Sequence, residues 1–212
     1  PDADVWEAHG EAKADLLAEV QARAGVAMDP GLPLIAFARR MTGYKRADLI
    51  FAELERLRAI HSERPFQLVM AGKAHPRDDG GKALIQRIHE VMREMQGSVP
   101  MAFLPDYDMA LAKIMVAGAD IWLNTPLPPM EASGTSGMKA AVNGVLNLSV
   151  LDGWWIEAWI EGVTGWAVGR DDGRHEDDAA DLYDKLERVV LPLYHDDRPR
   201  WIWMMKQAMS KI

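Results

Sequence analysis

The chain has 212 residues, of which 49% are hydrophobic and 26% are charged, and its formal net charge is −8. These values predict an ordinary globular protein with a sizeable core. They argue against a general nucleic-acid binder, because no excess of lysine and arginine is present to neutralise phosphates.

Helical and strand patterns alternate along the chain. Amphipathic spacing predicts a short helix from about Ser136 and longer helices over residues 4–25, 44–62, 80–95 and 108–119. Short apolar runs predict buried strands at 33–40, 66–72, 99–104, 120–125 and 144–150. This alternation is typical of a parallel sheet covered on both faces, so we predict an α/β fold with a doubly wound, Rossmann-like sheet. In such sheets a ligand binds beyond the carboxyl ends of the strands, where the strand order reverses.

The end of the chain has a different pattern. From residue 172 onward the sequence predicts a helix that begins with acidic residues, then a turn that contains proline and a second helix rich in tryptophan. We assign residues 176–212 as a helical tail of the same domain. Trp201, Trp203 and Met204 are most simply a packing face of this tail, and a partner surface is the alternative.

Four cationic residues follow the first predicted strand, in the stretch RRMTGYKR. They are Arg39, Arg40, Lys45 and Arg46. Because a strand ends and a helix begins here, backbone N–H groups and the helix dipole add to the side-chain charge. The stretch predicts an anion site, with phosphate as the favoured anion. A solvated basic turn is the alternative, and spacing alone does not separate the two.

The loops after the second and third predicted strands carry weaker signals. Gly72 in AGKAHPRDDGGK allows close backbone approach, and Lys73 and His75 are predicted to face the same crevice. A loop histidine is more often a surface residue than a catalyst. Tyr107 lies at a helix start, where it either reaches a ligand or packs on the helix.

The glycine-rich stretch EASGTSGMKAAVNG follows the fourth predicted strand. It offers N–H and hydroxyl donors ahead of a helix, which is the arrangement that holds a phosphate. These donors come from Ser133, Gly134, Thr135, Ser136 and Gly137. The order of residues is not that of a Walker loop. Glu131, at the start of the stretch, is an acceptor suited to sugar hydroxyls.

Lys139 is the only charged residue between Glu131 and Asp152. A buried lysine has a lowered pKa and becomes a nucleophilic amine that can form a Schiff base. A cofactor with an aldehyde and a phosphate would satisfy both the lysine and the loop, and pyridoxal 5'-phosphate is such a molecule. The alternative is a lysine whose stem is buried while its ammonium group reaches water.

Several motifs together resemble the α-glucan phosphorylases that act on glycogen, starch or maltodextrin. EASGTSGMKAAVNG resembles the cofactor motif of that family. The other matching stretches, in family order, are RRMTGYKR, AGKAHP, FLPDYDMALA, ADIWLNTP and LNLSVLDGWWIEAW. The form without large insertions is similar to the shorter bacterial and archaeal enzymes. The resemblance covers nearly the whole chain, but only the second half of such an enzyme.

The resemblance implies the C-terminal half of a two-domain, glycosyltransferase-B-type fold. It implies that Lys139 carries pyridoxal phosphate as an aldimine and that Tyr107 lies near the cofactor. The implied ligands of the cofactor phosphate are Arg39 and the backbone around Thr135, Ser136 and Gly137. The implied ligands of the substrates are Arg40 and Lys45 for phosphate, and Glu131, Ser133 and Gly134 for glucose hydroxyls. Asp108 and the pair Thr42–Gly43 depart from the family pattern, and no role passes to them.

The implied reaction is reversible phosphorolysis of a terminal α-1,4-glucosidic bond, which gives glucose 1-phosphate and a shortened glucan. In this family the lysine linkage is structural, and the cofactor phosphate assists proton transfer beside the substrate phosphate. The implied catalytic residues are therefore Lys139, Arg40 and Lys45. The partners are the glucan, phosphate, glucose 1-phosphate and the N-terminal domain of the same enzyme, and self-association into a homo-oligomer is compatible with them.

We expect the 212 residues to be one partial domain that is inactive alone. The chain does not start with methionine, and it stops before a family helix that crosses back to the first domain. We also expect apolar surface around Trp154, Trp155 and Trp159 that the absent domain would cover.

Two functions other than that of a phosphorylase are also compatible with these residues. One is a nucleotide-sugar glycosyltransferase resembling glycogen or starch synthase, which does not need Lys139 for a Schiff base. The other is a carbohydrate- or phosphate-binding module without turnover.

No apolar run reaches the ~18 residues of a membrane span, and the N-terminus has no signal-peptide pattern. The absence of cysteine excludes disulfides and thiolate metal ligands, and we predict no metal site and a cytoplasmic location.

Overall fold

The computed structural model describes residues 1–169 and 175–212. Its centre is one parallel sheet of six strands, which are β1 Leu34–Ala38, β2 Gln67–Ala71, β3 Met101–Leu104, β4 Ile121–Asn124, β5 Leu146–Val150 and β6 Gly165–Val168. The strand order is β3-β2-β1-β4-β5-β6. The order therefore reverses between β1 and β4, which confirms the doubly wound fold and locates its ligand-binding crevice.

Helices cover both faces of this sheet. The helices are α1 Asp2–Ala24, α2 Leu54–Glu63, α3 Asp79–Glu94, α4 Met109–Gly118, α5 Thr135–Val142, α6 Trp155–Ala158, α7 Asp178–Lys185, α8 Leu191–Asp196 and α9 Arg198–Lys211. A π-helical segment, Leu186–Val190, joins α7 to α8.

Two apolar clusters form the core, one on each face of the sheet. Strand side chains alternate between the faces, so Ile35 and Phe37 of β1 join one cluster while Leu34 and Ala36 join the other. The first cluster also contains residues of α2, α3 and α7 to α9, and the second contains residues of α1 and α4. Strands β1 to β5 and the covered faces are those that the sequence predicted.

The predicted helix over 44–62 is wrong in its first half. Two short 3-10 turns, Gly43–Lys45 and Leu49–Phe51, precede α2. The carbonyl of Tyr44 accepts a hydrogen bond from the Leu127 N–H (2.7 Å). The Tyr183 hydroxyl donates to the Ile50 carbonyl (2.8 Å). Long-range hydrogen bonds therefore use backbone carbonyls that a continuous helix would need.

The region after β5 also differs from expectation. Helix α6 and the four-residue strand β6 were not predicted, because these short segments carry too few residues for a clear period. Trp155 is fully buried, so the expectation that it forms exposed apolar surface is wrong. Trp154 and Trp159 are half-buried, and the exposed apolar residues here are Ile156 and Ile160.

The helical tail packs against the sheet as expected. Trp201 and Met204 are buried, which confirms the packing face, and Trp203 is half-buried. Residues 172–174, at which the change of sequence pattern begins, lie outside the described residues. Within 1–169 and 175–212, no helix is long and apolar enough to cross a membrane.

Candidate active site

Two loops meet where the strand order reverses, one after β1 and one after β4. Arg39 Nη2 lies 2.7 Å from Glu131 Oε2, and Lys45 Nζ donates to the same carboxylate oxygen. These three side chains are 7%, 8% and 10% exposed, so their charges interact with little screening by water. We call Arg39, Lys45 and Glu131 the charged triad.

One buried hydrogen-bond donor of the charged triad has no acceptor among the described groups. Arg39 Nη1 is buried and has no hydrogen-bond partner among the described groups. A buried donor without an acceptor is unfavourable, so this atom is ready to bind an anion. The anion site predicted from RRMTGYKR thus fits Arg39 and Lys45, whereas Arg40 is exposed beside them.

Helix α5 begins beside the charged triad, and two glycines shape its start. Gly134 has a φ of 87°, a conformation that side-chain-bearing residues rarely adopt. A Cβ at Gly137 would lie 2.7 Å from Asn147 Oδ1 and 2.9 Å from Trp154 Nε1. Only glycine therefore allows the first turn of α5 to pack this closely. Ser136 Oγ accepts a hydrogen bond from Trp122 Nε1 (3.3 Å), and Thr135 is exposed at the helix start.

Two adjoining cavities share this helix start. A polar cavity of about 380 Å³ contains the charged triad, Arg40, Ser133 and Gly134 in its lining. A cavity of about 590 Å³ is lined largely by apolar groups such as Met109, Val116 and Val142, together with Lys113 and Lys139. Tyr107, Thr135 and Ser136 line both cavities. Together the two cavities offer cationic and hydroxyl donors at one end and largely apolar groups at the other.

Lys139 is exposed, so of the two alternatives given for this lysine the buried one does not hold. The buried residues of α5 are Gly137, Ala140 and Ala141, and position 139 falls on the opposite side of the helix. The side chain lines the larger cavity, where its amine is accessible. This arrangement agrees with the alternative of a lysine that reaches water.

Tyr107 is half-buried between the two cavities. Burial raises the pKa of its hydroxyl, and the positive charge of Arg39 opposes that shift only in part. The hydroxyl therefore stays protonated near neutral pH and can donate a hydrogen bond. The next residue, Asp108, caps α4 by accepting from the Leu111 N–H (2.8 Å).

A third cavity, of about 630 Å³, lies on the side of β2. Arg40, Lys73, His75 and Tyr107 line it, which confirms that Lys73 and His75 face one crevice. His75 is exposed, and its Nδ1 accepts from the Arg77 N–H (3.1 Å). This histidine shapes a surface turn.

Asp152 supports the loop after β4 and was not singled out from the sequence. Its Oδ2 accepts from the Glu131 N–H (2.9 Å), and the Ser133 carbonyl accepts from the Trp154 N–H (2.9 Å). The loop carrying Glu131 is thus held against the residues that follow β5. The sequence marks Asp152 as a candidate partner of this loop only in that it is the first acidic residue after Glu131.

No group of three or more histidine, cysteine or acidic residues that could hold a metal ion occurs in the part of the chain that the structure describes. The donors at the candidate site are cationic side chains, hydroxyls and backbone N–H groups. Such donors suit anions rather than cations.

Comparison with known proteins gives consistent matches. The family model described as carbohydrate phosphorylase matches residues 3–166. A glycogen phosphorylase of Aquifex aeolicus is 46% identical over 239 aligned positions, which cover 100% of this chain and 34% of that protein. A maltodextrin phosphorylase of Thermococcus litoralis is 44% identical, with 100% of this chain and 28% of that protein covered.

A third relative, a glycogen phosphorylase of Mycobacterium tuberculosis, is 44% identical over 88% of this chain and 23% of its own length. The chain therefore spans between 23% and 34% of the length of these relatives.

Proposed function

This chain belongs to the carbohydrate phosphorylase family, and on that premise we propose that it is the cofactor- and phosphate-binding part of an α-glucan phosphorylase. The complete enzyme would cleave a terminal α-1,4-glucosidic bond with phosphate to give glucose 1-phosphate. The three named relatives are glycogen or maltodextrin phosphorylases, which supports this function over a nucleotide-sugar transferase.

The observation that carries the proposal is the joining of a cationic cavity to an apolar cavity that contains a lysine. Arg40 and Lys45 would hold the substrate phosphate. Arg39, Thr135, Ser136 and Gly137 would hold the phosphate of pyridoxal phosphate, and its ring would lie in the apolar cavity with its aldehyde carbon held by Lys139. When bound, this cofactor supplies a phosphate group that can exchange a proton with the substrate phosphate.

The residues of the chain would lower the electrostatic cost of bringing two phosphates together. Two dianions repel strongly in a site from which water is excluded, and fixed cations offset that repulsion. Arg39 and Lys45 are already held in place by Glu131, so they need little reorganisation when the anions bind. Glu131, Ser133 and Gly134 would orient the glucose through its hydroxyls. A cytoplasmic location belongs to the same proposal.

The test uses the full-length gene product with the variants Lys139→Ala and Lys113→Ala, because both lysines line the same cavity. With pyridoxal phosphate and a maltooligosaccharide, the unmodified protein and Lys113→Ala should release phosphate from glucose 1-phosphate, whereas Lys139→Ala should not. Borohydride reduction and peptide mapping should find the phosphopyridoxyl group on Lys139. No phosphate release by the unmodified protein, or a label on Lys113, would overturn the proposal.

A further inference from the structure

Arg46 has an unusual backbone conformation next to the charged triad. It directly follows Lys45, and its φ is 45°, in the left-handed region that non-glycine residues rarely occupy. A residue keeps such a conformation only where the surrounding structure determines it. The contacts of Arg46 identify what does so here.

The guanidinium of Arg46 joins three acceptors from two distant parts of the chain. Its Nε donates to the Thr125 carbonyl (2.9 Å), and its Nη2 donates to the Pro126 carbonyl (2.8 Å). The same Nη2 lies 2.6 Å from Oδ2 of Asp178. The side chain of Asp178 is fully buried and that of Arg46 is 16% exposed, so water reaches this ion pair from the side of Arg46 only. The planar guanidinium thus fixes the loop after β4 relative to the start of α7.

The loop after β4 binds back to the same residues. Thr125 Oγ1 lies 3.1 Å from the Lys45 carbonyl and 2.9 Å from the Arg46 carbonyl. With the bond from the Leu127 N–H to the Tyr44 carbonyl, these contacts hold the backbone of residues 44–46 against residues 125–127. The position of Lys45 relative to Glu131 depends on this junction, because the two residues belong to the two loops that it joins.

The carboxylate of Asp178 occupies a space beside Gly169. A Cβ at Gly169 would lie 2.4 Å from Asp178 Oδ1, so the close approach of the carboxylate to β6 requires glycine there. Asp178 is also the first residue of α7 and lies 3.5 Å from His175 Nδ1. Among the described groups, Arg46 donates the hydrogen bond to this carboxylate, whereas Asp178 Oδ1 and His175 Nδ1 have no hydrogen-bond partner.

We infer that Arg46 and Asp178 are positioning residues that set the location of Lys45 for phosphate binding. The inference rests on the proposed function, in which Lys45 holds the substrate phosphate. Among the described residues, those that line the cavity around Lys45 do not include Arg46 or Asp178. The pair therefore acts through the backbone of Lys45 and Thr125, without touching the ligand.

The test compares Asp178→Asn and Thr125→Val with the unmodified full-length protein. Asp178→Asn removes the buried charge, and Thr125→Val removes the hydroxyl at nearly constant volume while keeping the ion pair. The control is Arg56→Gln, which breaks ion pairs to Asp184 and Glu187 on the outer side of the same helical segment. Inorganic phosphate and a maltooligosaccharide are titrated separately by calorimetry, below the unfolding temperature of each variant.

We expect both test variants to bind phosphate about tenfold more weakly, because losing or lengthening one charge-assisted hydrogen bond weakens an affinity by about that factor. Maltooligosaccharide binding should be unchanged, and Arg56→Gln should leave both affinities unchanged. Unchanged phosphate affinity in Thr125→Val would overturn the inference, and so would equal losses of affinity for phosphate and for the maltooligosaccharide. If Asp178→Asn does not fold, the result for Thr125→Val is sufficient. Absence of phosphate binding by the unmodified protein would instead overturn the proposed function, and this inference with it.

Discussion

At the residue scale, the carboxylate of Glu131 determines how much positive charge the candidate site presents. It accepts from both Arg39 and Lys45, the two most buried cations of the site. In the proposed function these cations bind phosphate groups and Glu131 binds a sugar hydroxyl. A phosphate that binds before the sugar must therefore share the two cations with this carboxylate.

We predict that Glu131→Gln binds inorganic phosphate more tightly and the glucan more weakly. A charge–charge interaction at about 4 Å is worth about 1 kcal/mol in water and more in a protein, so its removal should strengthen phosphate binding at least about fivefold. Calorimetric titration of the full-length protein measures both affinities. Glu161→Gln is the control, because Glu161 pairs with Lys185 away from this cavity. Weaker phosphate binding in Glu131→Gln would show that the carboxylate supports the cations rather than competing with the anion.

At the element scale, a buried ionic cluster fixes helix α1 to the sheet. Asp120, immediately before β4, lies 2.9 Å from His9 Nε2 and 2.7 Å from Lys13 Nζ, and it accepts from the Leu34 N–H (2.8 Å). Lys13 also donates to the hydroxyl of Tyr194 on α8 (3.1 Å). One carboxylate thus connects α1, the sheet and the helical tail.

The cluster makes stability depend on pH at both ends of the scale. Burial raises the pKa of Asp120, but the hydrogen bond from His9 and the charge of Lys13 outweigh it, so the pKa lies below its ordinary value. Its contribution is complete above the unfolded pKa of about 3.9 and is lost as the pH falls through the folded pKa. Burial lowers the pKa of Lys13, but the charges of Asp120 and Tyr194 and the hydrogen bonds to them together outweigh it, so the net shift is upward. That contribution is complete below about pH 10.4 and is lost as the pH rises through the folded pKa.

We predict that Asp120→Asn lowers the free energy of unfolding by about 3–5 kcal/mol at pH 7, because it leaves Lys13 buried without its counter-charge. Urea unfolding at pH 7 and at pH 3 measures the effect, which should shrink at the lower pH because pH 3 lies below the unfolded pKa of about 3.9, so Asp120 binds a proton in the unfolded chain. Asp184→Asn, at a partly exposed ion pair, should cost less than about 1 kcal/mol. An equal loss at both pH values would show that the charge of Asp120 is not the source.

At the scale of the whole molecule, exposed apolar side chains lie beside the candidate site. Met109, which is 79% exposed, and Val142 line the cavity of Lys139, and Met130 is exposed directly before Glu131. The chain spans at most 34% of the length of the three relatives described above. We infer that the remainder of such a protein covers this face and supplies the opposite wall of the cleft.

We predict that the 212-residue chain alone does not turn over glucose 1-phosphate. Excluding water and holding two substrates in register both require two walls, and this chain provides one. The assay supplies the chain with pyridoxal phosphate, a maltooligosaccharide and glucose 1-phosphate and follows phosphate release, with the full-length gene product as the positive control. Sustained turnover at about 1 per second or faster, which is a typical enzyme rate, would show that the opposite wall of the cleft is not required.

The sequence by itself determined the alternation of buried strands and helices, the parallel sheet and the loops that carry the candidate site. These features depend on local periodicity and on the rule that ligands bind beyond the strand ends. The sequence therefore predicted that Arg39, Lys45 and Glu131 follow strand ends and that Lys139 lies in the helix after the fourth strand, and the structure has them at these places.

Only the tertiary structure decided which of these residues meet. Lys45 and Glu131 are 86 positions apart, and Arg46 and Asp178 are 132 apart. No local pattern encodes such pairs, because they depend on the order in which the strands assemble. Other long-range hydrogen bonds, from Leu127 to Tyr44 and from Tyr183 to Ile50, divided the predicted helix over 44–62. The packing of α5 placed Lys139 on its exposed side. Local propensity is worth a fraction of a kcal/mol per residue, so buried hydrogen bonds and ion pairs between distant segments override it.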